Sequence, residues 1–472
     1  LFPYTTLFRS TFKNCHIEKD VSIKNVNLIE NVYISRGVKL WNNGSITHVG
    51  DWTPNFSIYV GSEVKGRELS LYPELIPDQA VLMLRPEGVA EGLIKEFSIE
   101  FSILSENCCI ENVPKVTNVL LGEGTIVSGA LELEKVLTLS NLDESVYIGA
   151  GASVRQVMMQ WSSKIDRNSV AENSYFFEQS SLDQAGVVVE SCIGSNTHIG
   201  KGEVTASFVG PFVGMHHQSL LIGAIWPEGK GNVGYGANVG SNHTGRAPDQ
   251  EFWPAEGEFF GLSSSIKFPA NHRRAPYTII ATGLILPPQN LSFPFSLVNQ
   301  AKVTVGEHDL QHELIPAWML LENRYGLVRT AWKVKVRNKS RRYEFENNYL
   351  NERSAESTLL ALQELESLEV KENYYSGEFN GCRGCFMTRT NVVRGISAYK
   401  EALELYYLEV LSFKKQIVEN EQSLLDRIQM KLSLKEISAE GQKERLYELK
   451  KSEFEVAFES KDKDRARGTE II

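Results

Sequence analysis

The centre of the chain carries apolar residues that are each followed by glycine, and these pairs recur at a step of six residues. The step is clearest where Ile193–Gly194 is followed by Ile199–Gly200, and where Val233–Gly234 is followed by Val239–Gly240. A unit of six residues is too short to bury its own apolar side chain, so such units must stack as coils. Glycine eases the tight corner that separates one short strand from the next. The repeat therefore predicts a solenoid of parallel β-strands.

The repeat and its interruptions divide the chain into three regions. Residues 1–10 (LFPYTTLFRS) look like the in-frame translation of a sequencing adapter, so we expect them to be foreign to the native protein. The solenoid is predicted over residues 11–305, with an irregular, proline-broken insertion at 51–104 and a long loop at 246–277. That loop is either a lid or binding segment, or a packed surface excursion.

Residues 306–472 are predicted to form an α-helical extension. Apolar residues from Ile396 to Ile417 recur at alternating steps of three and four, which gives one apolar stripe along a helix. The stripe fits either a coiled coil or the buried face of a helix bundle, and we favour the bundle. The charged run at 461–467 closes abruptly, so we expect this extension to be truncated.

Composition narrows the classes of partner. Hydrophobic residues make up 42% of the chain, as in a globular protein with a core, and no membrane span is evident. The net charge of -10 argues against a nucleic acid or an anionic membrane as partner, although local basic patches remain compatible with it. Six unevenly spaced cysteines fit the reduced thiols of a cytoplasmic protein. We also expect two ordinary thiols at the CxxC pair Cys382 and Cys385, because no second pair lies nearby in the sequence.

Two runs of the repeat, IGSNTHIG at 193–200 and VGYGANVG at 233–240, resemble the hexapeptide-repeat transferases, a superfamily that includes UDP-N-acetylglucosamine acyltransferase. The whole chain looks most like an uncharacterised bacterial branch of it with a helical C-terminal extension. The resemblance implies a mainly β fold, a left-handed parallel β-helix followed by the α-helical region. It further implies a homotrimer with active sites between subunits, no bound cofactor, and acyl transfer from a coenzyme A or acyl-carrier-protein thioester. A catalytic histidine is common in the superfamily.

Two coils carry histidine where regular units carry a small residue, four positions after the apolar one. These are His217, after Val213, and His243, after Val239. An imidazole there must turn outward or distort the coil, and such departures from a local rule tend to mark function. Acyl transfer to a hydroxyl or amine needs a base, and histidine titrates close to working pH. His243 is our first choice for that base, with His217 as a further catalytic candidate.

Further site residues are proposed from the polar stretch around His243 and from the predicted loop. Asn242, or a carboxylate of Asp249 or Glu251, could orient the His243 ring, and backbone N–H groups beside Gly240 or Gly245 could stabilise an oxyanion. The alternative is a loop whose His and Asn side chains only form hydrogen bonds with backbone groups at the end of a coil. Candidate substrate-binding residues share polar or cationic groups that suit a sugar or a phosphate; they are Asn238, Arg246, His272, Arg273 and Arg274. The last three could equally form a solvated turn.

Three functions are compatible with the sequence. The first is an acyltransferase that acts on a sugar or nucleotide-sugar acceptor. The second is a non-enzymatic binding or assembly scaffold, because a fold alone does not prove catalysis. The third is a zinc enzyme resembling the carbonic anhydrases of the same solenoid class, for which His198, His216, His217 and His243 supply imidazoles. The histidine pair at a five-residue step that those enzymes carry is absent here, so no metal site is predicted.

Overall fold

The computed structural model describes residues 6–8, 10–85, 98–241, 251–301, 312–413, 418–434 and 439–469. It contains a parallel β-solenoid of about 16 turns and several helices in the C-terminal region, which confirms the predicted fold class. The chain forms two compact units. The first comprises Leu1–Phe252 with Lys339–Arg342, and the second comprises Trp253–Asn338 with Tyr343–Ile472.

Short strands build the first unit. In chain order they are β1 Thr6–Phe8, β2 Thr11–Ile17, β3 Ser22–Ile34, β4 Lys39–Thr47, β5 Phe56–Val60, β6 Arg67–Leu71, β7 Ser102–Leu104, β8 Cys109–Glu111, β9 Lys115–Leu121, β10 Ile126–Ser128, β11 Glu132–Thr138, β12 Tyr147–Ile148, β13 Ser153–Met159, β14 Lys164–Ile165, β15 Val170–Phe176, β16 Ser181–Asp183, β17 Val187–Val189, β18 Cys192–Ile193, β19 His198–Gly200, β20 Glu203–Thr205, β21 Phe208–Val209, β22 Gly214–His216, β23 Leu220–Ile222, β24 Ile225–Trp226, β25 Asn232–Val233 and β26 Asn238–Ser241. One helix, α1 Pro77–Met83, lies among them. β1 includes residues of the expected adapter segment and pairs with β3.

Each coil adds one strand to each of three parallel sheets, which we call the first, second and third faces. The first face contains β8, β10, β12, β14, β16, β19, β22 and β25. The second contains β9, β11, β13, β15, β17, β20, β23 and β26. The third contains the C-terminal halves of β11, β13 and β15, followed by β18, β21 and β24. One coil takes about 17 residues, close to three hexapeptides.

The core of the first unit consists of apolar side chains that point inward, and each strand of the first face contributes one of them to a column. On the first face the column is formed by residues that are all buried: Ile165, Leu182, Ile199, Met215 and Val233. Corners of the coils, both between strands and within the long strands β3 and β4, are held by residues in the left-handed region, where asparagine is tolerated. Asn25, Asn42 and Asn112 have such positive φ angles, and their amides bond from coil to coil at 3.1 and 3.3 Å.

The segment predicted as an irregular insertion contains an antiparallel hairpin, β5 with β6, followed by α1. It covers the third face, because the Tyr175 hydroxyl donates to the Pro73 carbonyl at 2.8 Å and the Gly61 amide donates to the Ala206 carbonyl at 2.8 Å. Outward-facing residues of that face are therefore buried; they include Met158, Tyr175, Cys192, Phe208 and Ile225. An antiparallel hairpin has no six-residue period, so the repeat in the sequence does not predict it.

The basic segment Lys339–Arg342, here called the strap, belongs to the first unit. The Arg342 guanidinium lies 3.6 Å from the centre of the Trp161 ring. It also donates to both carboxylate oxygens of Glu144, at 3.0 and 2.8 Å, and to the buried carboxylate of Glu178 at 3.0 Å. One arginine thus joins an aromatic ring and two acids.

The second unit begins with coils and ends with helices. Its strands are β27 Phe252–Trp253, which starts at the last residue of the first unit, β28 Phe259–Phe260, β29 Ser265–Lys267, β30 Ala270–Asn271, β31 Ile279–Ile280, β32 Ile285–Leu286, β33 Gln289–Asn290, β34 Leu297–Gln300, β35 His312–Ile315, β36 Asn373–Tyr375 and β37 Cys385–Thr388. Its helices are α2 Trp318–Leu321, α3 Arg324–Arg337, α4 Glu352–Ser367, α5 Arg389–Phe413, α6 Glu419–Leu432 and α7 Ala439–Thr469. The described part of the expected loop 246–277 thus contains short strands, and the buried Phe260 and Ile266 point inward there.

Helix α5 carries the predicted apolar stripe. Its residues Tyr399, Leu403, Tyr406 and Val410 are buried. The helix packs on α4, α6 and α7, in the manner of a bundle. Helix α4 begins with a capping box formed by Asn351 and Ser354. The backbone amide of each residue donates a hydrogen bond to the side chain of the other.

The expectation of free thiols at Cys382 and Cys385 is wrong, because the structure joins the two sulfurs in a disulfide. Both residues are buried, and the turn between them brings their Cα atoms to 5.6 Å, within the range that a disulfide spans. Gly381 and Gly384, with φ of 78° and 73°, allow that turn. A pattern of two cysteines in the sequence does not show how the backbone between them bends.

Candidate functional site

A group of three histidines lies on the outer surface of the first face, on β19 and β22 and at the corner after β22. Because Ile199 and Met215 point inward, the residues on either side of each point outward. We call His198, His216 and His217 the histidine cluster.

Histidine and glycine alternate between the two neighbouring strands. His198 pairs with Gly214 across the sheet, and Gly200 pairs with His216. Each imidazole of this pair therefore has a glycine opposite it and another two residues along its own strand. This arrangement gives two large rings room to lie on one narrow parallel sheet.

Both rings reach the space over Gly200. A Cβ atom built on Gly200 would lie 3.3 Å from His198 Nε2 and 3.5 Å from His216 Nδ1. The two ring centres are 4.9 Å apart, with the rings tilted by 44°. A small polar group placed above this glycine would therefore meet two ring nitrogens.

The other nitrogen of His198 is held by a neighbouring coil. Ser181 pairs with His198 across the sheet, and its Oγ lies 2.7 Å from His198 Nδ1. This hydrogen bond fixes the ring and leaves Nε2 toward Gly200. His217 occupies the corner with a φ of 64°, and its ring centre is 6.0 Å from that of His216.

The electrostatics keep both paired imidazoles neutral. Burial lowers the pKa of His198, and the positive charges of Arg167 and Lys164 lower it further, while Asp183 opposes them. Burial also lowers the pKa of His216, helped by the neighbouring imidazoles. A histidine whose pKa lies below its ordinary value of about 6.5 is predominantly unprotonated at pH 7, which is the form that accepts a proton.

Asp183 only partly opposes the lowering of the His198 pKa, because its carboxylate is already paired. The Arg167 guanidinium binds both of its oxygens, with Nε at 2.5 Å from Oδ1. Lys164 is in turn 2.9 Å from Asp166 and lies over the Tyr147 ring. The coils just before the cluster thus form a strip of compensated charges.

The catalytic candidates from the sequence fall in different places. His243, Asn242 and Asp249 lie outside the described residues, as does the substrate-binding candidate Arg246. His217 belongs to the histidine cluster. Glu251 is held by Arg67, whose Nε and Nη2 lie 2.6 and 3.3 Å from its carboxylate oxygens.

The remaining substrate-binding candidates are dispersed. Asn238 lies on β26, in the second face, away from the sheet that bears the cluster. In the second unit, His272 is fully buried with Nδ1 2.6 Å from the Glu258 carboxylate, and Arg273 lies 4.8 Å from the centre of the Trp253 ring. Arg274 is exposed.

The sequence pattern does not mark Ser181, Gly200 or Gly214 as site residues, and it offers His198 and His216 only as metal ligands. The signal that could have found them is the coil length, since Ser181, His198 and Gly214 are one coil apart. Across the described residues, no group of three or more histidine, cysteine or acidic side chains is arranged to hold a metal ion. Nor does any helix in the described ranges have the length and apolar character needed to cross a membrane.

Stacked hexapeptide-type coils that bear an outward polar cluster, followed by a helical region, define a β-solenoid protein. The model of one family, DUF4954, a domain of unknown function, matches residues 3–341. The chain belongs to this family.

Two further likenesses are more distant. An uncharacterized protein of Treponema pallidum (strain Nichols) is 27% identical over 263 residues, which is 56% of this chain. The match covers 35% of that relative, so the chain spans about a third of its length. A crystal structure of a candidate acetyltransferase from Desulfovibrio desulfuricans G20 is 10% identical, over 61% of this chain and 69% of that one, with a TM-score of 0.15.

Proposed function

We propose that this protein is an acyltransferase that uses an imidazole of the histidine cluster as its general base. The observation that carries the proposal is the convergence of His198 Nε2 and His216 Nδ1 on the space over Gly200, with both rings held in the neutral form. The acyl chemistry is taken from the resemblance of the repeat to hexapeptide transferases.

The chemistry balances with one thioester and one acceptor. The oxygen or nitrogen of the acceptor forms a bond to the acyl carbon while the carbon–sulfur bond breaks. The imidazole takes the acceptor's proton and returns it to the departing thiolate, so that a free thiol leaves. Ser181 would act as a positioning residue, because its bond to His198 Nδ1 turns Nε2 toward the reacting groups.

Several parts of the proposal rest on the sequence alone. The donor is a coenzyme A or acyl-carrier-protein thioester, and the acceptor is a sugar or nucleotide-sugar. The working form is a homotrimer whose subunits meet at the site. His243 remains the base predicted from the sequence, so the experiment must compare it with the cluster.

The test is acyl transfer by the full chain with acetyl-coenzyme A and longer thioesters against UDP-, GDP- and CDP-sugars, with the acylated product detected by mass spectrometry. Loss of a general base costs about 10²- to 10⁴-fold in turnover. We expect that loss in H198A or H216A. The control is H16A, an exposed histidine of the first unit that stacks on Tyr33, which should keep full turnover.

The variants separate the alternatives. Full turnover in both H198A and H216A, with loss in H243A, would move the base to the sequence-based choice. Full turnover in H198A, H216A, H217A and H243A would remove catalysis by the histidine cluster and by the sequence-based choice. No product with any donor and acceptor would favour the binding or assembly scaffold.

A further inference from the structure

Helix α3 of the second unit exposes a narrow apolar ridge. Val328, Trp332 and Val336 are 37%, 59% and 58% exposed, and steps of four residues place them on one side of the helix. The opposite side is buried through Leu327 and Val334. An exposed tryptophan between two exposed valines is unusual on a surface that only meets water.

Cations border the ridge. At 100° per residue, Arg329 and Lys335 fall on its two flanks, with Lys333 and Arg337 farther round, and the helix sequence RYGLVRTAWKVKVR contains no acid. None of these four cations forms an ion pair with any residue that the structure describes. Burial and the charges of Arg329 and Arg337 lower the pKa of Lys333, as expected where positive charge is uncompensated.

We propose that this face of α3 docks on the surface of an anionic lipid bilayer. A stable protein interface needs about 800 Å² from each partner, and three side chains on one 14-residue helix fall well short of it. A bilayer needs no matching shape. Tryptophan settles at the level of the headgroups, and flanking cations bind anionic lipids.

The acidic character of the whole chain does not oppose this docking. The net charge of -10 is spread over 472 residues. At physiological ionic strength, charges more than about 8 Å apart in water are largely screened. The lipid surface would therefore respond to the local cations of α3. This goes beyond the proposed acyltransferase function and does not depend on it.

The experiment is co-sedimentation of the full chain with vesicles of phosphatidylcholine alone or mixed with phosphatidylglycerol. We expect binding only to the mixed vesicles, weakened by salt. Replacing Arg329 or Lys335 by glutamine should lower the affinity about fivefold for each charge. Val336→Ser should lower it by a similar factor. Val393→Ser is the matched control, a valine of α5 with the same 58% exposure, and should bind as the wild type does.

Three results would overturn the proposal. Equal binding to neutral and anionic vesicles would remove the role of the cations. An equal loss in Val336→Ser and Val393→Ser would show that the ridge is not the contact. No binding to either vesicle would exclude a lipid bilayer as the partner of the ridge and would favour an acidic protein instead.

Discussion

Replacing Arg342 by methionine should release the strap from the first unit. In the folded chain this guanidinium donates to Glu144 and Glu178 and lies on the Trp161 ring. Methionine keeps an apolar stem over the ring but removes the cation that binds both carboxylates, so that Glu144 keeps only the more distant Arg341, at 3.7 Å. Removing one partner from a buried ionic cluster costs more than the cluster contributes, because the remaining charges stay desolvated.

The size of the effect follows from the pKa of Glu144. Hydrogen bonds from Arg342 are the largest cause that lowers it from 4.5 to about 2, with a further contribution from Asn141. At 1.36 kcal/mol per pKa unit this shift is equivalent to about 3 kcal/mol. Solvent screens part of it, since the Arg342 side chain is 30% exposed. We therefore expect Arg342→Met to lower the free energy of opening of the strap by about 2 kcal/mol at pH 7.

The loss should depend on pH in a defined direction. The folded-state pKa of Glu144 lies below its unfolded value, so its contribution is fully present above about pH 4.5 and disappears as the pH falls toward 2. The difference in the opening free energy of the strap between wild type and Arg342→Met should therefore fall toward zero over that range. It should be constant between pH 6 and 8, where Glu144 stays ionised in both states.

Hydrogen exchange of the strap amides is the suitable assay, because it measures local opening without requiring the whole chain to unfold in one step. The amides of Arg341 and Arg342 donate to Glu178 at 2.8 and 3.2 Å, so they report the release directly. The control is Arg341→Met. It removes the same charge, but its guanidinium is 3.7 Å from Glu144 and its side chain is 67% exposed. We expect it to change the opening free energy by less than about 0.5 kcal/mol. Equal losses in both variants, or a loss independent of pH, would refute the reasoning.

Two further predictions concern titration and thiol chemistry. His198 and His216 should each show a pKa below about 6.5 in NMR titrations. The free energy of unfolding should therefore fall as the pH drops through that value, because the unfolded chain binds protons more readily than the folded one. A pKa at or above about 6.5 for either ring would contradict the expectation that both imidazoles are neutral at pH 7. Alkylation of the unfolded, unreduced chain should leave Cys382 and Cys385 unmodified and label the other four cysteines, whereas label on all six would exclude the disulfide.

The solenoid could be predicted because its signal is local. A six-residue step of apolar residues with glycine is visible without knowing which coil pairs with which, and it located the coils around Ile193 and Val233. The signal fails where the same geometry uses other residues. Phe260 points inward in place of an aliphatic residue, between segments rich in proline and charge, so the sequence predicts a long loop at 246–277 where the described residues contain coil strands.

The candidate site could be predicted only in part, because it depends on which residues stack above one another. The small-residue rule drew attention to His217, which proves to lie in the cluster. His198 and Ser181 occupy outward positions that the small-residue rule does not cover, so nothing along the sequence distinguishes them. Their contact follows from coils of about 17 residues, whose exact length is set at the corners by residues with positive φ.

The arrangement of the cluster shows why a hexapeptide solenoid can carry large outward side chains at little cost to its fold. Inward positions must stay apolar on every coil, but outward positions are constrained only by their neighbours on the adjacent strands. Placing His198 opposite Gly214, and Gly200 opposite His216, satisfies that constraint, because each ring uses the volume that a glycine leaves. The core beneath, formed by Ile199 and its neighbours, remains regular. Function can therefore change by exchange of outward residues between coils while the period that builds the fold is kept.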